Sequence, residues 1–305
     1  MPCQRVTQIG HVLNRSASGA PRIGGGLGHS GAVQTVGLSW EQSWEAAAAL
    51  AVAGAGLALA RGRRMRAVGA FARETAVIGF LYGLWQLAGK LSVTGTSGAM
   101  ARSRWIQRFE HDVGLPSEHA LQHAVLHARL VVEGANLYYA SMHMTVMLIF
   151  LVWLFVRHRG SYRPVRQVMA WTTLGCLLVQ LLPVAPPRML PGIVDTAMLY
   201  HQSVYANGLP IDQLSAMPSV HVAWATLVGY YAWRISPSRW RWLGPAHAVI
   251  TVLVVVVTGN HWWLDGIVAV AILVGCAWSV FGVRTAWRAT RARWVRPPVA
   301  VPEPV

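Results

Sequence analysis

Acidic residues and lysine are what this sequence has least of. Eleven Asp and Glu stand against 26 Lys and Arg, Lys90 is the sole lysine, and charged residues make up 12% of the chain. A soluble domain carries about twice that charged share, so a water-covered globule is excluded as the main design. The near-absence of lysine beside abundant arginine reflects GC-rich coding rather than mechanism. Cysteine is also sparse: Cys3, Cys176 and Cys276 lie far apart, which excludes a disulfide framework and zinc-type spacing and leaves them as small buried apolar residues. Residues 1–37 lack a sustained apolar run, so they offer no core for a secretory leader. Their Gly, Ser and Arg content predicts a disordered tail. Gly26-Leu27-Gly28-His29-Ser30-Gly31 fits G-x-G-x-x-G, yet no strand leads into it and no helix opens from it, which removes the nucleotide-loop reading.

What the chain has in quantity is apolar residue, at 54%, with a mean hydropathy of +0.40. Seven apolar runs, at about 38–60, 67–88, 137–156, 167–184, 218–233, 242–257 and 261–283, are separated by arginine clusters or polar links. This pattern predicts an all-α polytopic membrane bundle of six core transmembrane helices with an extra N-terminal helix at 38–60. A net charge of +15 would otherwise suggest nucleic acid. The arginines, however, sit in short blocks between apolar runs rather than along one face, so no nucleic-acid partner is expected. The chain divides into a tail at 1–37, a transmembrane domain at 38–285 and a basic, Pro-rich tail at 286–305.

Within the domain, residues 91–136 mix eight charged residues with Trp105, Ile106 and several Leu and Val, and read as an amphipathic interfacial segment. His119, His123 and His127 recur every four residues there, a helical stripe at headgroup level rather than a metal site. Arg73 and Glu74, near one end of the second run, either reach toward the headgroups or pair inside the bundle. The connections after runs one, three and five and the tail after run seven are basic. Placed in the cytoplasm, they put the carboxyl terminus inside and the amino terminus outside, or both ends inside if 38–60 is not a span. Arg188, the stretch Pro218 to His221, and His261 then all emerge on the extracytoplasmic face.

These residues make a coherent chemical set. His261 and Asp265 are four apart, so a helix brings them one turn from each other on one face. The carboxylate accepts from one imidazole nitrogen, fixes the tautomer and leaves the other nitrogen as a nucleophile. Pro218 and Ser219 before His221 read as a helix start, whose free N–H groups favour an anion such as phosphate. Arg188 adds a guanidinium fork suited to phosphate oxygens, and His221 is placed to protonate a leaving oxygen. Phosphoryl transfer through a phosphohistidine needs no metal and no cofactor beyond these groups. His143, about two turns inside its run, requires a hydrogen-bond partner or a polar cavity. A non-catalytic lipid or solute transporter could use the same polar cluster for binding, although no internal repeat of the kind transporters carry is evident.

Ala216-Met217-Pro218-Ser219-Val220-His221 followed by Thr258-Gly259-Asn260-His261-Trp262-Trp263-Leu264-Asp265 resembles the second and third motifs of the type 2 phosphatidic acid phosphatase (PAP2) superfamily. The closest likeness is to the branch containing inositol phosphorylceramide synthases and their bacterial relatives. Ala185-Pro186-Pro187-Arg188 resembles that branch's first motif, and the likeness covers roughly residues 70–285. It implies that His261 is the nucleophile, Asp265 its partner and His221 the general acid. Arg188, with Ser219 and Asn260, would bind phosphate, and Asn136, Tyr139 and His143 would line the substrate pocket. The lysine that the phosphatase pattern has seven residues before the arginine falls at Leu181, and its arginine six before the nucleophile falls at Val255. Two cationic phosphate ligands are thus absent, which shifts the expectation from a simple lipid (pyro)phosphate phosphatase to head-group transfer from a phospholipid or polyprenyl-phosphate-type lipid. The expected partner is a membrane lipid, and the expected setting a bacterial plasma membrane with the site outside and the carboxyl terminus in the cytoplasm.

Overall fold

A computed structural model of the chain describes residues 39–92, 98–202 and 214–294. The 1–37 tail with its Gly-rich hexapeptide, residues 93–97, part of the loop before Met217 and the end of the C-terminal tail lie outside them. Among the described residues the structure is all-α, with no strand and a single isolated bridge between Val184 and Ser215. Ten α-helices follow in order: α1 Trp40–Ala58, α2 Arg63–Ser92, α3 Ala99–Asp112, α4 Glu118–Leu126, α5 Arg129–Arg157, α6 Arg159–Gln180, α7 Thr196–Leu199, α8 Val220–Ile235, α9 Leu243–Val257 and α10 Trp263–Trp294.

Four segments are long and apolar enough to cross a bilayer: Arg63–Leu84, Arg129–Arg157, Arg239–Val257 and Trp263–Val283. They correspond to α2, α5, α9 with the turn before it, and α10, and the chain is an integral membrane helical bundle. The other three expected runs are helical but fall outside that set. α1 starts from a capping box, Ser39 and Gln42 each bonding the other's backbone N–H, and packs chiefly along α2. α6 opens with Arg159, Arg163 and Arg166, which lower its average apolarity, and α8 is 16 residues long.

Those two shorter helices form the centre. α8 touches α5, α6, α9 and α10, and the largest apolar cluster joins Leu154 of α5, Val165 and Val168 of α6, Leu227 of α8 and Leu273 of α10. A helix sheltered by others needs less apolar surface for lipid, so its hydropathy is a poor guide to its position. α5 begins two turns before the expected start of its run, helped by an Arg129–Glu133 pair one turn apart. α6 begins one residue after α5 ends, with His158 as the joint. α10 runs to Trp294, so the first part of the expected basic tail is a continuation of the last span.

Of the two readings for Arg73 and Glu74, pairing within the bundle prevails. Glu74 forms an ion pair with Arg166 and accepts from the Tyr162 hydroxyl at 3.1 Å, tying α2 to α6. Arg73 donates to the Gly54 carbonyl across the α1–α2 hairpin.

α8 and α9 are joined by the short link 236–242 and cross where two glycines meet. A Cβ on Gly229 would lie 3.1 Å from the Gly244 carbonyl oxygen, and one on Gly244 would lie 2.9 Å from Ala232 Cβ and 3.1 Å from the Gly229 carbonyl oxygen. Small residues at a helix crossing let two backbones approach in a membrane. This crossing fixes how far apart the ends of α8 and α9 return to one surface, where His221 and His261 stand. Gly244→Val should therefore lower the unfolding temperature in detergent, for a cost of about 1–3 kcal/mol, and should lower turnover as well; thermal unfolding and activity of the purified variant check both.

Candidate active site

The site is assembled from irregular backbone at one end of the bundle. The segment before Arg188 pairs with the segment before Ser219: Val184 N–H donates to Leu214 O at 2.7 Å and Ala216 N–H to Val184 O at 3.2 Å. Arg188 N–H donates to Gly259 O at 2.9 Å, and Ser219 N–H to Asp265 O at 3.1 Å. Three stretches far apart in sequence are thus joined through their main chains. Gly259 has φ +69, and a Cβ there would lie 3.2 Å from Arg188 Cβ and 3.1 Å from Ile193 Cγ2. The left-handed turn and the close approach together call for glycine. α3 fastens the same region from one side, with Arg102 Nε donating to Pro183 O at 2.6 Å and the Ser103 hydroxyl to Ala185 O. Trp262 Nε1 also donates to Ala185 O, at 3.0 Å.

His261 is 5% exposed and Asp265 fully buried. His261 Nδ1 lies 2.7 Å from the Ala216 carbonyl oxygen and 3.3 Å from Asp265 Oδ2. A carbonyl only accepts, so Nδ1 carries the proton and Nε2 holds the lone pair. Nε2 is buried and has no hydrogen-bond partner among the described residues. Asp265 Oδ2 also accepts from Trp262 N–H at 2.8 Å, which locks the carboxylate over the first turn of α10. The expected one-turn pairing of histidine and aspartate is present, but the shorter contact to the ring is a backbone carbonyl from the second motif.

His221 stands in the first turn of α8, whose cap is Ser219, its hydroxyl accepting from Val222 N–H at 3.3 Å. The His221 and His261 ring centroids are 5.5 Å apart. Tyr139 stacks on His221 at 4.5 Å, and His143 lies 4.1 Å from it on the same helix as Tyr139. His143 Nδ1 also meets the Tyr139 carbonyl at 3.3 Å. The polar surroundings that His143 requires inside its span are therefore the two catalytic candidates and their tyrosine.

Arg188 is 4% exposed at its side chain and meets Asp195 Oδ2 through Nε at 3.3 Å. Its Nη1 bonds the Asn260 side-chain oxygen, and the Asn260 amide donates to Thr258 Oγ1 at 2.7 Å. Asn136 donates to Thr196 O at 3.1 Å and to Gln202 Oε1 at 3.0 Å. A cavity of about 10 Å³ between these groups is lined by Asn136, Tyr139, Arg188, Asp195, Ala197, Gln202 and Asn260. That is the space of a single water, so these residues close around Arg188.

All nine sequence-predicted site residues lie in this region, in two linked groups: the histidines with Asp265, Tyr139 and the Ser219 cap, and Arg188 with Asn260 and Asn136. Sequence reasoning missed Asp195, Thr196 and Gln202, which carry no motif, and Gln122, which holds Val194 and Val257 through three bonds of 2.8–3.0 Å. Their signal was faint: polar residues in a loop look solvated until the loop folds over a charge. His119, His123 and His127 follow one face of the α4 region, successive ring centroids 6.0 and 5.6 Å apart, and none of them lines the cavity.

A family model described as the PAP2 superfamily matches residues 104–279 of the chain. No curated protein and no solved structure gives a match.

Asp195 occupies Arg188 as a phosphate would, and it also caps α7 by accepting from Met198 N–H at 2.9 Å. Asn caps as well as Asp but brings no charge. Asp195→Asn should therefore keep the fold and tighten competitive inhibition by inorganic phosphate by about tenfold, the factor that goes with ~1.4 kcal/mol, measured as Ki in the turnover assay below.

Proposed function

The chain belongs to the PAP2 superfamily, and from that premise we propose that it is a head-group phosphotransferase of the inositol phosphorylceramide synthase type, working through phosphorylated His261. Membership by itself supports a lipid phosphatase-type function and a lipid substrate. The observation that carries the covalent step, common to transfer and hydrolysis, is the tautomer of His261: Nδ1–H is held by Ala216 O and Asp265, and the buried Nε2 is left with its lone pair beside His221.

In the first step Nε2 attacks phosphorus, the bond from phosphorus to the leaving oxygen breaks, and protonated His221 gives its proton to that oxygen. The developing imidazolium at His261 is stabilised by Asp265. Arg188, released from Asp195, takes the phosphate oxygens with Asn260 beside it, and the start of α8 behind Ser219 contributes its dipole. In the second step neutral His221 removes a proton from the acceptor hydroxyl, whose oxygen attacks phosphorus as the P–N bond breaks. An alcohol acceptor gives a new phospholipid, and water gives hydrolysis.

Two features favour transfer from a phosphodiester. Among the described residues lining the cavity, Arg188 is the single cation. Val255, where the phosphatase pattern has an arginine, is buried in an apolar cluster with Tyr139 and Val222. One guanidinium matches the single negative charge of a diester, whereas a monoester carries up to two. The proposed site lies on the extracytoplasmic face, with the carboxyl terminus in the cytoplasm.

Purified protein in vesicles, offered phosphatidylinositol or phosphatidic acid with and without ceramide, should make a new phosphodiester lipid, with release of diacylglycerol, from phosphatidylinositol when ceramide is present. Release of inorganic phosphate from phosphatidic acid alone would instead make it a simple phosphatase. Lipid binding without product or acid-labile phosphoprotein would make it a transporter or binding protein. His261→Ala should abolish turnover and labelling, and Asp265→Asn should lower kcat by about 10³–10⁴-fold. Arg188→Lys should raise KM as well as lower kcat, since a point charge does not reproduce the fork.

A further inference from the structure

Behind Asp265 lies a second acidic group that the reaction above does not use. Glu110, near the end of α3, and Glu118, at the start of α4, are 2% and 5% exposed. Glu110 Oε1 accepts from Leu264 N–H at 2.6 Å. That donor belongs to the first turn of α10, where N–H groups have no partner within the helix. Trp263 Nε1 donates to Pro116 O at 2.7 Å from the same turn, and Ile106 of α3 packs with Trp262 and Leu264. The α3–α4 corner is therefore clamped onto the four residues that separate His261 from the body of its helix.

Glu110 Oε2 and Glu118 Oε1 are both buried, and neither receives a donor from the described residues. Glu118 is the carboxyl that acts on Glu110, through hydrogen bonding and charge. Two ionised carboxylates offer four acceptors and no donor, so the pair is satisfied when one proton lies between them. The charged groups acting on Glu110 are Glu118 from α4 and Asp265 from α10. On its own helix the neighbouring His111 and Asp112 are exposed and face each other at 3.5 Å.

We propose that Glu110 is a positioning residue for the phosphoryl-transfer step: holding one proton jointly with Glu118, it fixes the first turn of α10 and thereby the register of His261 and Asp265. This rests on the functional reading given above. In the protonated state the corner places a single negative charge near Asp265. Removal of that proton leaves three carboxylates crowded at the start of α10 and breaks the Glu110–Glu118 bond. Burial first, then the Glu118 carboxyl, pushes the Glu110 pKa up to about 9, with Asp265 adding to the shift.

The sign of the pH effect follows. From about 4.5, the ordinary carboxyl value, to about 9 the unfolded chain has lost a proton that the folded protein keeps, so stability falls as pH rises through that window and levels off above it. Glu110→Gln imitates the protonated acid, since its amide oxygen accepts from Leu264 N–H and its amide N–H donates to Glu118. In the full-length protein the Gln variant should keep kcat at neutral pH within about twofold of wild type, lose the alkaline fall in kcat near pH 9, and gain thermal stability relative to wild type as pH rises across the window. Glu110→Ala should lower kcat by up to about 10²-fold, the scale of a 1 Å misplacement, with KM unchanged and the circular dichroism of a folded helical protein. The proposal is overturned if the Ala variant matches wild type, if the Gln variant is as slow as Ala, or if wild type and Gln share one pH profile of turnover and of stability. Wild-type inactivity on both phosphatidylinositol and phosphatidic acid would defeat the functional reading and the catalytic half of this inference with it; the pH dependence of stability, which needs no turnover, decides separately whether the pair holds its proton.

Discussion

Backbone that leaves a helix at the edge of a membrane must still find hydrogen bonds, and this constraint organises the site. Helices satisfy themselves, but the segments that carry Arg188, Ala216 and Gly259 do not, and little water is available to replace missing partners at that depth. They solve the problem by bonding to one another: 184 with 214 and 216, 188 with 259, and 219 with 265. Each of these bonds joins two different motifs. The chemistry is brought together as a by-product of main-chain satisfaction, and the side chains inherit positions that the backbone has already set.

The protonation state of His261 follows from the same arrangement. A carboxylate alone could orient the ring, as Asp265 does at 3.3 Å, yet the nearer acceptor is the Ala216 carbonyl at 2.7 Å. A carbonyl has no proton to give, so it leaves no choice of tautomer, whereas a carboxyl group can exchange roles. Asp265 is then free to serve twice, holding Trp262 N–H at the helix start and, in the proposed reaction, balancing the charge that forms on the ring. Moving the second motif by an ångström would loosen the third motif's histidine, which is why the α8–α9 crossing at Gly229 and Gly244, remote from the chemistry, bears on it.

Much of this was legible in the sequence. The apolar runs, the one-turn spacing of His261 and Asp265, the Ser219 cap and the return of runs five and six to one surface all rest on periods of a few residues, where local rules are strong. What could not be read were relations between distant loops. Nothing in the surroundings of Asp195 distinguishes it from an ordinary solvated carboxylate until its loop folds over Arg188. Glu110 lies in a stretch whose charges suggest an amphipathic segment, yet its own side chain is buried. The limits of α5 and α6 were misplaced for a related reason: polar residues at their starts, such as Arg129 and Arg166, are held by partners that hydropathy does not count.

Charge balance links the closed cavity to the proposed choice of substrate. Arg188 is compensated by Asp195, while Asp265 pairs with the proposed nucleophile and Glu110 holds the helix turn beside it. A phosphodiester that displaces Asp195 exchanges one negative charge for another, and the buried region keeps its balance. A phosphomonoester dianion would bring a second charge into a site where Val255 offers no cation and where the neighbouring carboxyls already repel it, and uncompensated charge in a poorly solvated region is costly. The missing cations and the resident aspartate therefore bear on one property of the ligand, its single charge, and it is this matching rather than any one residue that favours head-group transfer over hydrolysis of a monoester.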